Sequence, residues 1–401
     1  MTTTLAAEVP VFHDDPYDDA NLTDPYPLLR RMRDAGRAVW LEKYGVVAFS
    51  RFETVREILV DHETFISGAG VGPRNYHHQP PWRRPGILDS DPPMHTPLRA
   101  AMADVISPRN TRELRGMFEQ YAVPLVDRVL EMGSLDAVTD LAEVFPLKAF
   151  GDAVGIPEEG RKENLLPHGA MNFAQFGPED ERHAHFTRIG QPTVDWVHAN
   201  CARENLRRGG LGDKIWEHAD SGAIPPEDAA VLVRALLSAG LDTTIHAIGN
   251  TLISLLRNPG AWEAVHAKPA LVRFAIDEAL RLECPFQSFF RTTSRDVDFH
   301  GVPLPEDTKV LVLIGSANRD QRTWGEDAEE FQLGRRSGGH LAFGMGIHQC
   351  VGQPISRLEM ECLFTELARR VRSIEPAGDP VPFLHTTMRG WSSLPVRLRA
   401  A

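Results

Sequence analysis

The stretch from Ile224 to Gly260 limits what this chain can fold into. It opens with Pro225-Pro226-Glu227-Asp228, prolines in a first helical turn with acids at its positive end, and meets no stop until Arg257-Asn258-Pro259-Gly260. One helix over 225–257, roughly 32 residues at 1.5 Å each, is about 48 Å long. It is apolar around most of its circumference, so it has to cross the middle of a globule. With 401 residues, 42% of them apolar and 24% charged, the chain can bury such an element. No linker rich in Gly, Ser or Pro divides it. The sequence therefore predicts one domain over 1–401 rather than the two or three that length alone suggests.

Helical spacing of apolar residues recurs at Pro25–Ala35, Phe52–Val60, Thr111–Val129, Ala142–Val154, Gln191–Leu206, Pro269–Glu283 and Gln353–Ile374. Short strands are expected at Val39–Leu41, Val46–Phe49 and Lys309–Leu313. The fold class is mainly α, α-rich with a small β region. Residues 67–90 have no period; they carry repeated Pro and Gly with Tyr76, His77, His78, Trp82, Arg83 and Arg84. An irregular segment of that length inside a compact domain reads as a binding loop or lid.

The formal charge, 43 − 55 = −12, excludes nucleic acid as a partner, since a duplex-binding surface needs a cationic excess. Cys201, Cys284, Cys350 and Cys362 are too few and too scattered for a disulfide framework and form no CxxC zinc motif. Met1 to Glu8 lacks the basic start and apolar core of a signal peptide, and no run of about 18 apolar residues occurs. These features predict a cytoplasmic protein without a membrane partner.

One cysteine differs from the others. Phe343-Gly344-Met345-Gly346-Ile347-His348-Gln349-Cys350-Val351-Gly352 leads directly into the helix beginning Gln353-Pro354. Three glycines let the backbone turn tightly and approach a flat partner. A cysteine just before a helix N-terminus has its thiolate favoured by free amide groups and the helix dipole. Haem iron is a metal that uses one such anionic ligand, which favours O–O cleavage. The pattern Phe343, Gly346, His348, Cys350, Gly352 resembles the haem-binding signature of the cytochrome P450 superfamily. The resemblance extends along essentially the whole chain and implies the P450 fold, a single domain whose long helix (225–257) lies over haem b.

Several residues take roles from that resemblance. Glu278-Ala279-Leu280-Arg281 matches the family's Glu-x-x-Arg pair, and Arg335 would complete a structural triad. His95 and Arg99, in Asp91-Pro92-Pro93-Met94-His95-Thr96-Pro97-Leu98-Arg99, together with Arg291 and His348, would hold the haem propionates, and Cys350 the iron. Inside the long helix, Asp242 and Thr243 match the acid and alcohol pair of oxygen activation: Thr243 would steady the activated oxygen and Asp242 gate protons. A Thr hydroxyl there can take the carbonyl of the preceding turn, so a kink or opened groove is expected. The implied activity is an O2-using haem-thiolate monooxygenase fed with electrons by a soluble iron-sulfur ferredoxin and an NAD(P)H-dependent reductase. Docking would use a local basic patch, with Arg99, Arg335, Arg336 and Arg357 as candidates. A sensor or electron carrier without turnover and a peroxide-driven enzyme are the rival readings; the paired Asp242 and Thr243 speak against both.

Within the family the chain is similar to bacterial enzymes that demethylate para-methoxybenzoates. Arg83, Arg234 and Ser238 match residues on the substrate's carboxylate side. Phe173, Phe176 and the strand carrying Phe286 and Phe289 match ring walls, although Phe286 and Asn172 stand where those enzymes have aliphatic residues, while Leu88, Ala239 and Gly240 would complete a flat slot. The loop after Arg83 is one residue shorter than in those enzymes, Gly86 stands where a carboxylate-binding Ser is expected, and Ala235 replaces a second Ser. Each missing hydroxyl removes a hydrogen bond worth roughly 0.5–3 kcal/mol. A neutral methoxyphenol is therefore the alternative to a benzoate, and the sequence does not say whether Arg83 or Arg84 turns inward.

Overall fold

The computed structural model describes residues 9–401; the reading of Met1 to Glu8 falls outside them. The protein is mainly α, 53% helix against 13% strand. Seven helices frame the site: α1 (His95–Val105), α2 (Pro108–Met132), α3 (Val144–Val154), α4 (Arg161–Ala174), α5 (Pro226–Arg257), α6 (Val272–Leu282) and α7 (Gln353–Arg370). The 32 residues of α5 form one continuous helix, in which the Thr243 and Thr244 hydroxyls donate to the Ala239 and Gly240 carbonyls, at 2.7 and 2.8 Å, as their position suggests. Leu232, Val233, Leu236, Leu241, Ile245, Ile248 and Leu252 are buried, and α3, α4, α6 and α7 pack around them. One 18-residue window of α5 has a mean hydropathy of 1.3, enough to pass for a membrane span, but 67% of it is buried inside the protein. It is the core helix that its all-round apolar pattern demands.

The β region is a six-stranded sheet of β1 (Val11–Phe12), β2 (Ala38–Leu41), β3 (Val46–Phe49), β4 (Phe65–Ile66), β5 (Ser288–Thr293) and β6 (Lys309–Leu313), in the order β1-β2-β3-β6-β5-β4. The hairpin β2–β3 pairs Trp40 with Val47 and turns at Gly45, whose φ of +59° suits glycine. Strand β5 pairs antiparallel with β6, Phe290 opposite Leu311. Because side chains alternate along a strand, Phe290 enters the core beneath the sheet while Phe289 and Arg291 face the large cavity.

Two expected helices end early. The run 191–206 divides into a short turn at Gln191–Thr193, a helix at Val194–Asn200 and another turn at Arg203–Asn205. Asn205 Nδ2 takes the Ala199 carbonyl and Trp216 Nε1 the Cys201 carbonyl, so side chains cap the helix where the pattern continued. The run 353–374 stops at Arg370, and Val371–Pro376 becomes a strand, Ile374 opposite Leu398. Helix α4 was missed as an element: its Pro167 and Gly169 are breaker signals, and tertiary packing overrides them.

Two buried ion clusters fasten α6 to the chain around it. Glu278 and Arg281 are both fully buried and joined twice, at 2.8 and 2.9 Å. Arg335 Nε reaches Glu278 at 3.0 Å, the Gln332 amide donates at 3.0 Å and Ser337 Oγ at 2.5 Å. Arg281 spends its remaining donors on the Asn318 and Ala328 carbonyls, at 2.8 and 2.6 Å. The second cluster joins Glu283 to Arg319 (3.0 Å), Arg389 (2.7 Å) and the Tyr26 hydroxyl (3.0 Å).

Replacing Glu278 with Ala strands the Arg281 charge in the interior, which should cost about 3–5 kcal/mol and lower the urea midpoint. Burial raises the Glu278 pKa, but its bonds to Arg281 and Ser337 and the nearby charges leave it below the ordinary 4.5. Its contribution is therefore full above the unfolded-state value and is lost as pH falls through the lower folded value. The gap between wild type and Glu278→Ala should accordingly narrow only on the acid side of pH 4.5.

Candidate active site

One cavity, partly open to solvent, runs between α5, the 343–352 loop and the 83–89 segment.

The cysteine loop forms one wall. Gly346 has φ +75°, and a Cβ there would overlap the Leu59 carbonyl oxygen and lie 3.1 Å from Val60 Cα, so only glycine fits. Phe343 lies beneath the Arg357 guanidinium, 4.9 Å from ring centre to charge, and its carbonyl receives the Cys350 amide at 2.8 Å. Burial pushes the Cys350 thiol up; the Gly352 and Gln353 amides and the charges of Arg99 and Arg357 pull the other way. A bound metal cation would settle that balance toward thiolate.

The neighbouring polar groups also fit haem. Arg291 is buried, with burial lowering its pKa to about 10, and makes one bond, to the Phe290 carbonyl at 2.8 Å. The rings of His95 and His348 lie 4.5 Å apart, each with a buried Nε2 lacking a hydrogen-bond partner. Arg99 contacts the Gln349 carbonyl at 2.5 Å. The nearest carboxylate, Asp91, is 3.7 Å from His348 and already accepts from the Ser67 and Gly68 amides. A ligand bearing two carboxylates supplies the missing acceptors, and haem propionates are such a pair.

Ala239, Gly240, Thr243 and Thr244 of α5 line the opposite wall, and Thr244 Oγ1 meets Ser356 Oγ of α7 at 3.1 Å. Asp242 turns away from the cavity toward α4 and is 7% exposed. Burial, helped by the Glu143 charge, holds its carboxyl far above the usual carboxylate range.

At the far end stand four phenylalanines. Phe286 and Phe289 are 4.2 Å apart, Phe173 lies 5.4 Å and Phe176 6.1 Å from Phe286. Beside them are Leu88, Ser238, Arg83 and Arg234. Arg83 turns inward, with 16% of its side chain exposed, whereas Arg84 is 50% exposed and bonds Asp228 at 2.7 Å. The Nε atoms of Arg83 and Arg234 are buried without partners. Arg83 has only a long 3.4 Å contact to Asp89, itself buried with Oδ1 unpartnered and its pKa raised by burial. Gly86 and Ala235 also line the cavity.

Glu278, Arg281 and Arg335 lie behind the cavity, the place expected of a structural triad, but the docking role does not suit every candidate. Arg335 is used up by Glu278, the Trp324 carbonyl and Asp327, and Arg357 is paired with Asp277, so neither is free to dock a partner; Arg336 is exposed. Sequence reading missed Asp89 and Glu359 as lining groups. Glu359 is buried with both carboxyl oxygens unpartnered and a pKa pushed well up by burial. An acid at an otherwise apolar face of the 353–370 helix was the available signal.

The cytochrome P450 family model matches residues 211–399. Over 98% of its length and 96% of the relative's, the chain is 43% identical to cytochrome p450 CYP199A2 of Rhodopseudomonas palustris. It is 30% identical to the beta-dihydromenaquinone-9 omega-hydroxylase of Mycobacterium tuberculosis, covering 95% of this chain and 78% of that one. Epothilone D-bound cytochrome P450epoK superimposes with a TM-score of 0.86 at 25% identity, over 97% of this chain and all (100%) of that one. Cytochrome P450 CREJ in complex with (4-ethylphenyl) dihydrogen phosphate gives 0.85 at 25% identity, over 96% and 99%. The chain belongs to the cytochrome P450 family. It is a haem b monooxygenase of the kind that takes electrons from a ferredoxin and its reductase.

Cys350→Ala should abolish the thiolate-type Soret band of the reduced, CO-treated protein. Retention of that band would show that another residue binds the iron.

Proposed function

We propose that the enzyme oxidises a small para-substituted aromatic monocarboxylate, removing the methyl group of a para-methoxybenzoate. The observation carrying this reading is the pair of cavity-lining arginines, Arg83 and Arg234, set against one lining carboxyl, Asp89, 3.4 Å from Arg83. His168 is held neutral nearby, burial first and the arginines second lowering its pKa to about 4. The buried end thus carries at least one uncompensated positive charge. A monoanion cancels it; a neutral methoxyphenol leaves it in place, at a cost of several kcal/mol.

Helix geometry limits the substrate's length. Arg234 and Thr243 are nine residues apart on α5, about 13.5 Å along its axis. After the reach of an Arg side chain, that leaves room for one ring with a short para group, and the four phenylalanines supply the ring walls. CREJ, which was solved with a para-ethylphenyl phosphate, offers a parallel for a ring with an anionic end.

Haem supplies the oxidation chemistry: with O2, two electrons and two protons, one oxygen atom enters the substrate and the other leaves as water. On a methoxy carbon the product is a hemiacetal that collapses to formaldehyde and a phenol. The chain's own part is to hold the carboxylate at Arg83 and Arg234, press the ring between Phe173, Phe176, Phe286 and Phe289, and handle protons at Asp242 and Thr243. Electrons come from a soluble ferredoxin and an NAD(P)H-dependent reductase, and the setting is the cytoplasm.

Titration with 4-methoxybenzoate should produce the low-spin to high-spin change, while its methyl ester and 4-methoxyphenol bind far more weakly. Arg83→Leu should weaken the acid about 10- to 150-fold, the worth of a charged hydrogen bond, and leave the ester unaffected. Tight binding of the phenol with no response to the acid would refute the carboxylate reading. Thr243→Ala should keep substrate binding but divert NADH-derived electrons to hydrogen peroxide; unchanged coupling would refute its role.

A further inference from the structure

Asp242 and Thr243 are adjacent in sequence but point in different directions. Thr243 faces the cavity, while Asp242 lies on the flank of α5 against α4 and makes no ion pair or hydrogen bond among the described residues. With no bond to set its orientation, packing must do so, and the group packed on it is Gly169 of α4.

A Cβ at position 169 would lie 2.5 Å from Asp242 Cγ, 2.9 Å from Oδ1 and closer still to Oδ2. All three carboxyl atoms are overlapped, so any side chain at 169 has to expel the whole group. Gly169 sits within a helix, where glycine costs about 1 kcal/mol relative to alanine, so local stability argues against it. Close approach is the remaining reason for a glycine there. One turn later on α4 and one turn earlier on α5, Asn172 Nδ2 reaches Ser238 Oγ at 3.4 Å. The next positions, Phe173 at the end of α4 and Phe176 in the turn after it, form the ring wall. The surface pressed on the acid is therefore continuous with the surface that receives the substrate. The charge that bears on this carboxyl is Glu143, which is itself paired at 2.8 Å with the solvent-exposed Lys162.

We propose that Gly169 is a positioning residue for proton delivery: it lets α4 close on α5, fixes the Asp242 carboxyl in one orientation, and ties that orientation to the ring wall carried by Phe173 and Phe176. This rests on the reading of Asp242 as the proton-handling acid. Substrate pressing on the phenylalanines then bears on the acid through the same helix, without touching it.

Gly169→Ala tests the proposal. The substitution favours the helix, and the ferric haem spectrum and 4-methoxybenzoate affinity should stay as in wild type. The protonated-carboxyl infrared band of Asp242, identified by subtraction of the Asp242→Asn spectrum, should shift or vanish. The share of NADH electrons lost to hydrogen peroxide should rise severalfold. In an Asp242→Ala background, where no carboxyl can be displaced, adding Gly169→Ala should change coupling no further. An unchanged infrared band, or an equal further loss of coupling in the Asp242→Ala background, would overturn the proposal. Should Gly169→Ala not fold, recovery of folding in the double variant supports the overlap and failure of both overturns it. Asp242→Ala with normal coupling would instead refute the relay reading, leaving the infrared test of the Gly169 contact valid.

Discussion

A 32-residue helix buried at the centre of a protein has to be covered along its whole length, and everything in this architecture follows from how α5 is covered. Helices α3, α4, α6 and α7 cover most of it. Where they part, between Arg234 and Ala247, the helix wall is left to the cavity, and its small residues Ala239 and Gly240 keep that wall flat. Hydrophobic burial thus does two tasks with one element: it stabilises the core, and it leaves a smooth apolar face that a planar group can occupy.

Charge sorts the rest of the interior into frame and site. The Glu278 and Glu283 clusters are closed, since their carboxylates and guanidiniums find partners within the chain. Such clusters fix geometry, and removing one member is costly because the other stays buried. The cavity's polar groups are open: Arg291, His95 and His348 on one side, Arg83 and Arg234 on the other, retain donors or ring nitrogens with nothing to meet them. A folded chain tolerates unpaired buried groups where a ligand completes them. The two open sets lie at different parts of one cavity, so the carboxylates of a cofactor and a second, separate anion would each find their own partners.

The sequence was legible where local signals were dense. Prolines and acids marked the start of α5 to within a residue, three glycines and a cysteine marked the loop at 343–352, and the β2–β3 hairpin followed from alternating apolar residues around Gly45. It was illegible where long-range contacts overrode local chemistry. Residues 371–376 continue a helical pattern yet pair with 395–400, more than twenty residues away. Arg335 matched both a buried triad and a docking patch in the sequence, and only its bond to Glu278, 57 positions earlier, takes it out of the patch. The direction of Arg83 against Arg84 depends on Asp89 and Asp228 standing on opposite sides, and no spacing rule contains that.

The segment 67–90 shows how far a loop can be from free. Lys309 Nζ, on β6, donates to the carbonyls of Ala69 and Gly70 at 2.9 and 2.5 Å, and the Phe290 amide bonds the Val71 carbonyl at 2.9 Å. Asp307 then accepts from Asn75 at 2.9 Å and meets His77 and His78 at 2.7 and 2.5 Å. The first half of the segment is therefore fastened to the sheet. The second half contributes Arg83, Gly86, Leu88 and Asp89 to the cavity, packs Ile87 and Leu88 on the core, and sends Arg83 and Arg84 to acids. Arg84 pairs with Asp228 near the surface, where such a pair is worth little, so it cannot anchor the half strongly. Arg83 stands between Asp89 and the substrate end, which makes it the one tie whose strength depends on what occupies the cavity. An anion bound there would give Arg83 a second partner, whereas a neutral ligand would leave it with Asp89 alone.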